Sequence, residues 1–401
     1  MERTEKSTVK DLKSLSIMCL VFIMISIMPK SVAWSQQAKL EYYKVGVIAP
    51  ISGPASVLGK YFTQAVEIET KYLNESGGIN GIPLKLFIED DQTNPSLTVV
   101  ATKKLIQEGV VCICGPVLTN MVLAAIPEIE KAGVPSICAG AGREVIDPFR
   151  KWVFKIPHTD TKVVHLMLKF AKESLKVNKI AVLFQDDASG VSGAKQTREL
   201  APKYGISVVA EESCHASDTN MVPQLTKISK TDAEAVLIFV VVGPGAIVAK
   251  NSYQIGFKKP LVYYHGAVSE SLIKVAGNAA EGTYFAGVKP TVAEYIPKSD
   301  PQKFYIDRFL KRLRDENLKF DTFHGNGHDS LNLLAYALKK LPPGTTDTQG
   351  IRDGIRMELE KLRNFPLLNA IYTFTPQDHD GALAEALLML EVKGGKFIPA
   401  K

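Results

Sequence analysis

From Tyr43 the chain alternates short apolar runs with stretches in which apolar residues recur every three or four positions. "YKVGVIAP" has the continuous apolar character of a buried strand, and "VLGKYFTQAVEIETKYLN" then places Leu58, Tyr61, Ala65, Ile68 and Tyr72 on one helical face. "GGINGIP" ends that helix. "LKLFIEDD" predicts the next strand, "PSLTVVATKKLIQEG" a helix opened by proline, "VVCICG" a strand, "TNMVLAAIPEIEKAG" a helix and "VPSICAG" a strand. Strands alternating with helices of this length imply a parallel sheet covered on both faces. The rhythm then restarts. "NKIAVLFQDD", "GISVVAEES", "AEAVLIFVVV" and "KPLVYYHG" predict strands, with helices near 192–203, 221–230 and 244–255 between them. Two such runs predict two α/β lobes. "FYIDRFLKRLRDE" and "GHDSLNLLAYALKKLPPG" are helical in pattern, but periodicity alone assigns them to neither lobe.

In open parallel sheets ligands bind beyond the carboxyl ends of the strands, where loops lead into helix N-termini. The loops in those positions are "APISGPASVLG", "GPVLTN", "AGAGRE", "QDDASGVSG", "GPG" and "HGAVSE". Their Gly, Ser and Thr content lets backbone N–H groups approach a ligand, and helix N-termini there favour an anion by about 0.3–1 kcal/mol. Turn-making and capping explain any single loop of this kind equally well. Six of them at one end of two sheets point to a grip on a small polar head group.

The segment before Tyr43 changes the picture of where the protein works. Its basic stretch runs to Lys13, an uncharged apolar core spans 15–28, and Ser31-Val32-Ala33 suits cleavage after Ala33. Residues 1–33 are therefore expected to be a removed secretory signal, placing the mature protein in the periplasm. A retained anchor is the alternative, but the apolar core is shorter than the roughly 20 residues that span a bilayer. The segment holds five Lys or Arg and three acidic residues, so about +4 of the formal +6 belongs to the rest of the chain. That charge is too mild to argue for nucleic acid, and no basic run with interleaved aromatics occurs.

Four cysteines follow the signal segment. Cys112 and Cys114 share a strand face at a spacing that matches neither a redox CxxC nor a zinc knuckle, so they read as buried thiols. An oxidised pair with Cys138 on the next strand is the alternative in an oxidising compartment. His324 and His328 in "HGNGH" are four apart and could share a helix face as metal ligands, but Gly325 and Gly327 are expected to loosen that turn. "DHDG" at 378–381 reads as a turn, too short for a calcium loop. No phosphate loop, HExxH helix or GxSxG elbow occurs, so no motif supports an enzyme, and neither a cofactor nor a metal is expected.

At this point the chain resembles a known family. "VGVIAPISGPASVLGK", "LNESGGINGIPLKLFIEDDQTNP" and "GPVLTN" are similar to the leucine/isoleucine/valine-type periplasmic binding proteins, the ligand-capturing subunits of ABC importers. The likeness extends over about 42–395, through "GFKKPLVYYHG", "AAEGTYFAGVKP", "GHDSLNLLAYAL" and "YTFTPQDHDG". It implies the type I periplasmic-binding fold, two doubly wound lobes that close on a ligand, joined by three crossings near 156–160, 282–290 and 374–377. The N-terminal lobe would then comprise 38–157 plus 288–374, and the C-terminal lobe 158–287 plus 375–401. It also implies a monomer whose partners are membrane permease subunits.

The resemblance further implies a ligand site at Leu58, Leu118, Thr119, Gly140, Ala141, Gly142, Arg143, Ser189, Val241 and His265. Thr119 matches the hydroxyl that holds an amino acid's α-carboxylate. Gly142 departs, lacking a hydroxyl that relatives carry, and Leu58, Ser189 and Val241 stand where relatives have aromatics. His265 stands where the family places the acid that pairs with the α-ammonium. Asp186, Asp187 or Glu270 would have to substitute for that acid. Otherwise the ligand is a carboxylate without an ammonium, such as an aromatic or aliphatic acid. For His265 itself, a rim histidine bonded to backbone and facing no ligand stands as the alternative to direct ligand contact, in which a protonated or hydrogen-bonding imidazole meets an anion. A sensory binding protein of the same fold, without a transport role, is the alternative function.

Overall fold

The structure, a computed structural model, describes residues 40–401. The signal segment and Cys19 lie outside the described residues. Among the described residues no helix is long and apolar enough to cross a membrane.

The first layer holds β1 (Tyr43–Ala49), β2 (Leu84–Asp90), β3 (Cys112–Cys114), β4 (Ser136–Cys138) and β5 (Val153–Lys155). They lie in the order β2-β1-β3-β4-β5 with every pair parallel. Helices α1 (Ser56–Glu75), α2 (Pro95–Gln107) and α3 (Thr119–Ala132) connect them. After α4 (Asp160–Glu173) the pattern resumes: β6 (Lys179–Gln185), α5 (Ala188–Leu200), β7 (Ser207–Cys214), α6 (Val222–Ser229), β8 (Ala235–Phe239), α7 (Val242–Gln254), β9 (Leu261–Tyr263), α8 (Glu270–Ala276) and β10 (Tyr284–Val288). The rest is α9 (Lys303–Asp315), α10 (Thr322–Lys340), α11 (Thr348–Glu360), the small pair β11 (Phe365–Pro366) and β12 (Ile371–Tyr372), then β13 (Leu387–Lys393) and β14 (Lys396–Pro399). The second sheet runs β14-β13-β10-β9-β8-β6-β7. It is not wholly parallel, because β13 returns antiparallel beside β10 and turns directly into antiparallel β14.

The first sheet is buried on both faces, which is why its strands read as continuous apolar runs. One face places Val45, Val47, Cys112, Cys114 and Ile137 against Phe62 and Val66 of α1 and Leu331 and Leu334 of α10. The other places Ile48, Ile113, Cys138 and Val153 against Leu105 of α2 and Val122 and Ile129 of α3. Cys114 pairs in register with Ile137, so the next residue, Cys138, points to the opposite face. All four cysteines of the described chain are buried free thiols, and this register separates Cys138 from its two neighbours.

Periodicity does not place the late helices; packing does. α10 lies along α1 and against β3 and β4, and its Ser330 hydroxyl donates to the Ile137 carbonyl at 3.0 Å. Arg352 of α11 donates to the Val110 carbonyl at 2.7 and 2.9 Å. Gly327 does not loosen α10: a Cβ there would come within 2.1 Å of the Phe62 carbonyl oxygen, so the glycine permits the close approach of α10 to α1.

Candidate functional site

Both sheets reverse strand order, the first between β1 and β3 and the second between β6 and β8. Ligands sit at such switch points, beyond the carboxyl ends of the strands. A cleft of about 490 Å³, counting its open mouth, lies there. The first layer lines it with Leu58 after β1, Val117 to Asn120 after β3, Ala139 and Ala141 after β4, and Phe323 and Asn326 from the start of α10. The second layer adds Asp187 and Ser189 after β6, Val241 after β8, and Tyr264 to Gly266 after β9; Pro157 comes from the segment between the layers.

Seven of the ten residues named from sequence line this cleft: Leu58, Leu118, Thr119, Ala141, Ser189, Val241 and His265. Gly140, Gly142 and Arg143 do not. Arg143 opens a short 3-10 turn and bonds Asp147 at 3.0 Å, with half of its side chain exposed. Gly142 lies behind the wall and donates its N–H to the Thr119 hydroxyl at 3.0 Å. A Cβ on Gly142 would stand 2.6 Å from Thr119 Cγ2, so any larger residue at this position would have to displace the Thr119 side chain.

Two helix ends at the cleft lack side-chain caps. α3 begins after Leu118 and α7 after Val241, apolar residues that offer no acceptor to the first-turn N–H groups. The backbone donors of Thr119, Asn120, Val242 and Gly243 therefore remain available, each end carrying the positive pole of its helix. Thr119 is buried, and because its oxygen accepts from Gly142 its own O–H is free to donate. By contrast α5 is capped. Asp187 Oδ1 accepts from Gly190 N at 2.8 Å and Oδ2 accepts from Gln185 Nε2 at 2.5 Å. Burial raises the Asp187 pKa against those N–H contacts.

Of the carboxylates of Asp186, Asp187 and Glu270, only that of Asp187 lines the cleft. Asp186 faces away to pair with His215, and Glu270 is exposed at the start of α8. His265 opens a 3-10 turn directly after β9. Its ring packs edge-on to Tyr264 at 5.2 Å, and Nδ1 is buried without a hydrogen-bond partner although the residue keeps partial exposure at the cleft. Desolvation, with the Lys155 ammonium nearby, pushes its pKa down to about 3, so the imidazole is neutral at physiological pH.

The segments joining the two layers run side by side. Lys155 N donates to the His379 carbonyl at 3.0 Å and Gly381 N to the Lys155 carbonyl at 3.2 Å. Asp380 takes Lys162 Nζ at 2.8 Å, the Thr159 hydroxyl at 3.2 Å and Lys155 Nζ at 3.5 Å. Burial opposes ionisation of Asp380, but Lys155 and Lys162 outweigh it and hold the pKa below its ordinary value. The "DHDG" turn is thus an electrostatic anchor between the layers. Beside it Asp160 is fully buried, with the Ser192 hydroxyl as the polar neighbour that favours its ionised form. Burial raises its pKa to about 7; Lys155 opposes the rise, while Glu144 and Asp187 add to it.

His324 and His328 do lie on one helix, but they are engaged separately. His324 Nδ1 accepts from Asp321 N at 2.9 Å in a capping box, and His328 Nδ1 bonds Asp329 at 2.7 Å. Among the described residues no group of three or more His, Cys, Asp or Glu side chains is placed to hold a metal ion. Sequence reasoning overlooked Tyr264, Phe323 and Asn326 as wall residues. Tyr264 immediately precedes a named residue, whereas Phe323 and Asn326 reach the cleft only because α10 returns to the first layer.

The profile of the periplasmic binding protein family matches residues 43–396. The Leu/Ile/Val-binding protein homolog 3 of Brucella melitensis biotype 1 is 22% identical over 76% of this chain and 80% of its own length. The leucine-, isoleucine-, valine-, threonine- and alanine-binding protein of Pseudomonas aeruginosa is 23% identical over 78% of this chain and 82% of its own. Among solved structures, an extracellular ligand-binding receptor from Rhodopseudomonas palustris HaA2 superposes with a TM-score of 0.83 at 27% identity, covering 90% of this chain and 99% of that one. A branched-chain amino acid ABC transporter protein from Thermus thermophilus, with bound valine, gives 0.79 at 21% identity, over 90% and 96%. The fold is that of type I periplasmic binding proteins.

Proposed function

We propose that this chain, which belongs to the periplasmic binding protein family, captures a small carboxylate solute outside the cytoplasm and delivers it to the permease of an ABC importer. The family is one of ligand-binding proteins, not of enzymes. The observation that carries the carboxylate is the pair of uncapped helix N-termini, α3 and α7, meeting one cleft from two sheets with the free Thr119 O–H beside the first. Pre-placed N–H donors stabilise an anion without reorganising, and a hydrogen bond to a charged group contributes about 1.5–3 kcal/mol. Leu58, Val117, Leu118, Val241 and Phe323 supply an apolar wall for the rest of the ligand, either a hydrophobic amino acid or an aromatic or aliphatic acid.

Transport requires capture and release, which the two-layer design provides if residues 38–157 with 288–374 move as one lobe and 158–287 with 375–401 as the other. The paired segments around Lys155 and Asp380 are then the hinge, and a ligand that touches both walls stabilises the closed form. The names of the Brucella and Pseudomonas relatives support an importer of this type. Calorimetric titration of the purified protein with leucine, valine, benzoate and short fatty acids tests the reading. At least one acid should bind and its methyl ester should not; no heat from any carboxylate would overturn it.

A further inference from the structure

Resting on that carboxylate reading, we infer that the ligand carries an uncharged oxygen function, a hydroxyl or carbonyl, which the imidazole of His265 recognises on the second-layer wall. The ligand class is then hydroxy- or oxo-carboxylic acids.

His265 is the one polar side chain of the cleft wall with a buried atom that lacks a partner. Nδ1 is buried and has no hydrogen-bond partner, although buried polar atoms are as a rule hydrogen-bonded. The ring is also held in place. It packs edge-on to Tyr264, and a Cβ on Gly266 would strike the Tyr264 hydroxyl oxygen at 2.2 Å, so glycine there lets the chain fold back over that ring. A neutral imidazole offers one donor and one acceptor nitrogen, the complement of a hydroxyl or carbonyl.

An ammonium fits this wall less well. The Lys155 charge that disfavours an imidazolium at His265 disfavours any other cation in the same place. Asp187 is the carboxylate an ammonium would seek, yet both of its oxygens are engaged, one capping α5 and the other holding Gln185. Ser189, the next lining residue, again offers a hydroxyl and no charge.

The test is a titration of the full chain with acids that share a skeleton: leucine, 2-hydroxyisocaproate, 2-oxoisocaproate and isocaproate, then benzoate against 4-hydroxybenzoate. In at least one set the oxygen-bearing acid should bind about tenfold more tightly than its unsubstituted parent, and than leucine in the first set, because a wall built to bond an oxygen is left unpaired by the others. His265→Phe should bring the members of that set within about twofold of one another, and His265→Gln should restore part of the preference. Leucine binding most tightly, or a preference that survives His265→Phe in a folded variant, would overturn this inference while leaving the carboxylate reading intact. Binding by no acid at all would overturn both.

Discussion

The two walls of the cleft are built from the same strand-loop-helix unit, yet they use different chemistry. The first-layer wall presents backbone donors from an uncapped helix and a hydroxyl held in place by Gly142 N–H. The second-layer wall combines another uncapped helix end with the polar side chains of Asp187, Ser189, Tyr264 and His265. A backbone N–H is left in place by every substitution except proline, and it serves any carboxylate alike. Side chains change one by one. On the proposed reading the first wall holds the charge common to many solutes, and the second distinguishes among them.

The largest effect is expected where the walls join. Asp160 has its pKa raised from 3.8 to about 7 by burial, so between those values the folded chain holds a proton that the unfolded chain has released. Its neutral form is accommodated at low pH. Stability is lost as pH rises from about 4 to about 7 and levels off above, with a cost on the order of 4 kcal/mol as an upper bound. Asp160→Asn removes this linkage, so urea unfolding of the variant should show a higher midpoint at about pH 8 and a flatter profile across that window. Parallel profiles for parent and variant would mean that Asp160 ionises freely and that the junction is well solvated.

The next effect belongs to the first wall. Thr119→Val removes both the acceptor for Gly142 N–H and the free hydroxyl donor, and should weaken carboxylate binding roughly 10- to 150-fold. Gly142→Ala should weaken it through the same pair, because the new methyl meets Thr119 Cγ2 at 2.6 Å. Calorimetry with the best-binding acid measures both. Unchanged affinity in Thr119→Val would transfer the carboxylate to the α7 end, and the division between walls would be reversed.

Much of this arrangement is legible in the chain, and the gaps have physical causes. The buried strands and the loops after them appear because continuous apolar runs and Gly-rich breaks are local signals. Five of the six loops singled out supply wall residues; "GPG" instead forms part of the first turn of α7, whose cap Val241 lines the cleft. The strands β5 and β10 lie outside the regular strand-helix alternation that marks the others, and the antiparallel β13–β14 hairpin breaks that rhythm altogether. Asp160 and Asp380 carry no sequence signal of importance. The pairing of Asp380 with Lys155 and Thr159 depends on segments more than 200 residues apart lying side by side. The tight fit of Gly142 against Thr119 is likewise a tertiary fact.

The smallest expected effect is also the most discriminating. Asp187→Asn keeps a good N-cap while removing the one carboxylate of the second wall, so stability should fall by less than about 1 kcal/mol. If the wall reads an uncharged oxygen through His265, affinity for the preferred acid should stay within about twofold, since Asp187 then serves only to cap α5 and hold Gln185. If the wall instead receives an ammonium, the same substitution strips away its counter-charge, and affinity for an amino acid should fall by more than about tenfold. Titrating this variant with 2-hydroxyisocaproate and leucine side by side separates the two cases. A loss confined to leucine would show an ammonium seated at Asp187, whereas equal retention of both would leave discrimination to His265.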